Sequence, residues 1–204
     1  MKKVVLALAV VFATVVGANA QEASKSAKVK VNVVLNPFQS IEIGTPGSTS
    51  PGAGYGDEVT LTYNTVNDYK NGVSQLVNKQ LKVSSVGSGY RVSAALGFNG
   101  GSTGAFKKIQ GGGAETVDAS QLLEVAIGKT GTLNGLTAGK QASGNMDFGP
   151  MGTTSTGESS VLDEFLDVKY FGKKLDGAAV SALFGNQKTQ VKYSIDVVYT
   201  IAVN

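Results

Sequence analysis

Cysteine, histidine and tryptophan are all missing from this 204-residue chain. Without cysteine no disulfide can staple the fold, and no lipid can be attached through an N-terminal cysteine. Without histidine as well, the usual ligands of transition metals and the usual base of nucleophilic catalysis are gone. Paired-carboxylate hydrolysis is compatible with the composition, but no pair of acids stands out by its spacing. The chain is therefore expected not to be an enzyme, with no catalytic residues, no metal and no cofactor. Charged residues make up only 16%, and there are 4 prolines. Glycine is plentiful at 27 residues, and with abundant Ser and Thr it fits a β-protein of many turns.

The first residues read as an export signal. Lys2 and Lys3 precede an apolar stretch over residues 4–16, and Ala18-Asn19-Ala20 supplies small residues for cleavage. Residues 1–20 are expected to be a cleaved signal peptide, because the apolar run falls short of the roughly 20 residues of a membrane span. No transmembrane segment is expected in the mature chain. The leader takes two lysines with it, leaving 16 basic against 15 acidic residues. Such a balance leaves no footprint for nucleic acid or an anionic membrane.

Residues 21–204 are expected to form a single domain. The plainest pattern is the last one. Val191, Tyr193, Ile195, Val197, Tyr199, Ile201 and Val203 alternate with mostly polar neighbours, which predicts a long final strand with one buried face. Val29, Val31, Val33 and Leu35 alternate in the same way, until Asn36-Pro37 interrupts them and the pattern resumes at Ile41 and Ile43. Further strands are predicted at Val59, Leu61 and Tyr63, at Leu81 and Val83, at Tyr90 to Phe98, and at Leu166, Val168 and Tyr170. Asn71-Gly72 predicts a tight turn, and Gly87-Ser88-Gly89 a hairpin between its flanking strands. Residues 44–56, 99–113 and 128–160 read as Gly/Ser-rich loops, the last with room for weak edge strands. A helix is predicted over 176–185, capped by Asp176 and ended by Gly185. Short strands at intervals with turn signals between them suggest an all-β sandwich with one short helix and long loops.

Candidate sites are few. Gly128-Lys129-Thr130 resembles the end of a phosphate-binding loop, but Leu123 stands where the first glycine belongs. Asp163, Glu164 and Asp167, with Glu158 nearby, could offer oxygens to a hard cation, yet a solvated acidic surface explains them better. Tyr63 and Tyr90 are expected to pack a sheet face, while Tyr55 and Tyr69 fall in predicted loops where they could stack on a sugar.

The export signal, the early Val-x-Val-x-Val strand and a last strand of the form Tyr-x-x-x-Val-x-Tyr-x-Ile resemble fimbrial subunits of Gram-negative bacteria. Asn67-Asp68-Tyr69-Lys70-Asn71-Gly72-Val73 and Gln80-Leu81-Lys82-Val83-Ser84-Ser85 look like the immunoglobulin-like pilin relatives of Bacteroidota. The resemblance implies an immunoglobulin-like, Greek-key sandwich at the cell surface or in the periplasm. It also implies partners of the same kind: self-association or related subunits, with a periplasmic assembly factor as a helper. Such subunits polymerise by strand donation. Residues 21–27 are too polar to be donated, so 28–35 is the only candidate, with Val29, Val31, Val33 and Leu35 as anchors. The same segment could instead be the first strand of a self-complete domain. Residues 29–35 and 191–203 are the candidate interface or groove strands. The alternatives are a monomeric binding module for a glycan or protein and, third, a small outer-membrane barrel.

Overall fold

The structure is a computed structural model and describes residues 29–44, 58–99, 101–151 and 160–203. The expected leader at 1–20, Lys28, Tyr55 and Glu158 lie outside the described residues. The chain divides after Leu35 into two units, Met1–Leu35 and Asn36–Asn204. In the first unit, residues 29–35 lie outside any helix or strand.

The second unit is mostly β. In chain order its elements are β1 (Phe38–Ile43), α1 (Val66–Asn71), β2 (Val73–Val86), β3 (Tyr90–Gly97), β4 (Ala105–Gln110), β5 (Thr116–Asp118) and α2 (Ala119–Leu122). They continue with β6 (Leu123–Lys129), β7 (Lys140–Gln141), β8 (Asn145–Pro150), β9 (Val161–Gly172), α3 (Gly177–Phe184), β10 (Lys192–Ser194) and β11 (Asp196–Val203). Among the described residues the strands make three open antiparallel sheets, in the orders β1-β2-β9-β6-β7, β11-β3-β8 and β10-β4-β5.

Alternation explains where the core sits. Leu81 and Val83 of β2, Leu166 and Val168 of β9, and Val125 and Ile127 of β6 turn the same way. They share one buried cluster with Tyr90, Val92, Ala94 and Leu96 of β3 and Met146 of β8. Burying each such aliphatic side chain stabilises the fold by roughly 1.5–3 kcal/mol. With no disulfide available, this cluster and the sheet ladders carry the stability.

The long strand β2 keeps this face inward only by slipping register against β9 between Val77 and Leu81. Lys79 takes φ 55 at the slip, a conformation that crowds any side chain. Asp167 holds it there. This fully buried carboxylate accepts the Lys79 N–H at 2.7 Å and the Gly131 N–H at 2.8 Å, tying the bulge of β2 to the turn after β6.

Several expectations are corrected. The turn expected at Asn71-Gly72 is the end of a helix, α1. Thr65 accepts the Asp68 N–H while Asp68 reaches back to the Thr65 N–H, a capping box that starts the helix, and Gly72 ends it at φ 81. The described chain carries three helices where one was expected. Residues 59–63 join no ladder, although Val59 and Leu61 do pack on the core. Alternation there reports a partly buried face, and among the described residues the segment pairs with no strand. β2 and β3 are not a hairpin. They belong to different sheets, and the glycines between them carry the chain across, with Gly87 at φ 91. The glycine-rich 99–113 stretch contains β4, and the loose 128–160 region supplies the edge strands β7 and β8. The helix α3 is as expected: Asp176 accepts the Ala179 N–H at 2.8 Å and Gly185 closes the last turn.

Candidate functional site: an open sheet edge

The predicted final strand is two strands. β10 pairs with β4, and β11 pairs with β3 in another sheet, so the chain changes partner at Ile195. Alternation continues through the switch, which is why the sequence pattern does not reveal it. The candidate residues are thereby separated. The Tyr193 hydroxyl lies 2.9 Å from the Ala114 carbonyl and 3.1 Å from that of Leu183, docking β10 beside the end of α3. Val191 precedes β10. Ile195 packs against the core at the switch.

Val197, Tyr199, Ile201 and Val203 remain together on β11. Their register partners on β3 are Leu96, Ala94, Val92 and Tyr90, all essentially inaccessible. The β11 residues themselves are only partly covered, and Val203 is 62% exposed. The same happens on β1. Ile41 and Ile43 lie opposite the buried Val83 and Leu81, yet Ile43 is 50% exposed. β1 and β11 are the end strands of their sheets and approach one another. Along this side the core itself is closed, and the apolar side chains left exposed are those of the end strands, Ile43 and Val203. The outer backbone edge of β11 has no ladder partner among the described residues, so its N–H and C=O groups can pair with an added strand.

The β11 edge is held firmly from within. The Tyr199 hydroxyl meets that of Tyr170 at 2.7 Å, and Tyr170 donates to Gln80 Oε1 at 3.0 Å. Burial pushes both phenols above their ordinary value, Tyr199 well above it. This chain of hydroxyls crosses from β11 to β9 and β2.

Residues 29–35, the other candidate segment, are exposed. Val29, Val31, Val33, Val34 and Leu35 are between 78% and 84% exposed.

The other candidates have structural partners. Asp163 pairs with Lys82 at 2.8 Å, and Glu164 with Lys129 at 2.8 Å, so the lysine of the phosphate-loop lookalike is engaged. Glu164 also accepts the Tyr90 hydroxyl at 2.7 Å. Burial, with that carboxylate second, drives the Tyr90 phenol far above its ordinary range. Asp167, expected at a solvated surface, is buried because two backbone donors need it. Among the described residues no group of three acids is placed to hold a metal. Tyr63 donates to the Lys173 carbonyl at 2.6 Å and packs 5.3 Å from Tyr69; burial, then Tyr69, pushes its phenol up to about 12. Tyr69 is thus part of a packed pair, not a loop-borne stacking platform.

The chain matches no protein-family model and no curated protein.

Proposed function

We propose that this chain is an exported structural subunit of a surface filament, a single immunoglobulin-like (Greek-key) β-sandwich assembled by strand donation. The observation that carries the reading is a pair of features in one chain. An alternating apolar segment at 29–35 lies exposed, and the end strands β1 and β11 leave the apolar Ile43 and Val203 exposed beside an unpaired backbone edge of β11. Added as a strand, the segment from another copy places Val29, Val31, Val33 and Leu35 over Ile43, Ile201 and Val203. Its backbone supplies the ladder that β11 lacks. Burying the four side chains stabilises by roughly 1.5–3 kcal/mol each. Fixing the segment costs roughly 1–2 kcal/mol per residue, so the backbone hydrogen bonds tip the balance.

The test is material sheared from the surface of producing cells, run on a denaturing gel with and without boiling. Strand-exchanged subunits give a ladder that collapses to monomer on boiling. A single monomer band in both lanes refutes donation.

A further inference from the structure

A cleft of about 620 Å3 opens on the face of the five-stranded sheet opposite the main core, a volume within the range of small-ligand sites. Its floor follows from register. Ser74 and Glu124 flank Phe171 across β2, β9 and β6, and Leu76 and Ala126 flank Lys169 in the next outward row. The turn after β6 folds over this face, where Leu133 packs with Ala126, Leu76 and Phe171. Residues 135–138 then form one wall, and the junction of α1 with β2 the other.

The cleft is cationic. Lys169, Lys173 and Lys174 line it against a single acid, Glu124. Two of the lysines are held in place. Lys169 Nζ donates to the Leu136 carbonyl at 2.7 Å and stands 5.2 Å from the centre of the Phe171 ring. Lys173 Nζ donates to the Ser120 carbonyl at 3.0 Å and lies 3.9 Å from Glu124. An ammonium group has three donors, so anchoring one leaves others for a ligand. Glu124 is fixed by the Gly139 N–H at 3.0 Å. Ser74 and Thr137 add hydroxyls to the lining.

We infer that this cleft binds an acidic saccharide, a uronate-type sugar. Its carboxylate pairs with the lysine ammonium groups, and its ring hydroxyls bond to Glu124, Ser74 and Thr137. A simple polyanion matches only the lysines of this lining, because the Glu124 carboxylate repels it. Sugar hydroxyls can donate to the lone pairs that Glu124 keeps beyond the Gly139 contact, while the uronate carboxylate answers the lysines. The cleft uses residues of β2, β6 and β9 and none of β1 or β11, so it is independent of strand donation.

The probe is tri-galacturonate, compared with its fully methyl-esterified trimer and with inorganic phosphate, each titrated at low salt into the full chain and followed by backbone amide shifts. The acidic trimer is expected to bind, with shifts centred on Ser74, Thr137 and Lys174. The ester is expected to bind about tenfold more weakly, and Lys174→Glu to weaken the acidic trimer by about tenfold, the loss of one charge-assisted contact. The exposed Lys174 is expected to be replaceable without a change in melting temperature. Equal binding of trimer and ester, equal binding of phosphate, shifts centred elsewhere, or no response to the acidic trimer would each overturn the assignment.

Discussion

Two kinds of residue carry this fold at points where a single change is expressed clearly. Asp167 is a buried acceptor for two backbone donors, on Lys79 and Gly131. Replacing it by alanine leaves both unsatisfied, and urea unfolding is expected to show a loss of roughly 2–4 kcal/mol. The second kind is the enclosed phenol. Tyr63, Tyr90, Tyr170 and Tyr199 all have values raised by burial above the ordinary 10.0. A folded-state value above the unfolded one means the folded chain holds the proton more tightly. That contribution is fully present below the unfolded value near 10.0 and is lost as pH rises from there through the folded values. Melting temperature is therefore expected to hold constant toward pH 10.0 and to fall above it. An ultraviolet titration should find these four phenols silent until the chain unfolds, and early, reversible ionisation of all 7 tyrosines would contradict it. The residue types were legible in sequence, but not their enclosure. Asp167 reads as one more surface acid beside Asp163 and Glu164 until β2 bulges across it.

Elements followed local chemistry where that chemistry is self-contained. α3 was legible because Asp176 and Gly185 mark its two ends. α1 was missed because Asn71-Gly72 suggests a turn, although the Thr65-x-x-Asp68 capping pattern is a local signal that could have found it. Thr65→Ala is expected to cost about 1 kcal/mol, read as a shift of the urea midpoint with an unchanged slope. Asp68 supports the same cap. Hydrogen bonds from the Asn64 and Thr65 amides hold its carboxyl below the ordinary 3.8, so its contribution persists through neutral pH and fades only as acid passes below that value. Strands were legible by face and not by partner. The alternation of 191–203 matches the more and less covered sides of β11 from Asp196 to Ala202, but not β10, where Ser194 is as covered as Tyr193. It is silent on the change of sheet at Ile195, because a period of two is preserved whichever neighbour supplies the hydrogen bonds.

At the scale of the whole molecule, the proposed strand donation by 29–35 has a direct test. Replacing Val31 and Val33 together by Asp puts two charges where the proposed joint is apolar. The heat-sensitive ladder is expected to vanish while a monomer with an unchanged melting temperature remains, since these side chains are 79% exposed in the single chain. A double variant that still polymerises would dismiss 28–35 as the donor. Mutating Lys174 in the lysine cleft is expected to leave the ladder intact, because the two surfaces share no strand at the open edge.

The sequence alone determined which residues are apolar on one side of β1, β2, β3, β9 and β11, where α3 begins and ends, and that cysteine and histidine chemistry is unavailable. These depend on residue type and on spacing along the chain, which are local quantities. Only the tertiary structure decided that β2 and β3 part company, that Asp167 is buried, and that β1 and β11 are both end strands of their sheets. Those depend on which distant segments share hydrogen bonds. Backbone N–H and C=O groups are the same in every residue, so a strand's own sequence does not name its partner.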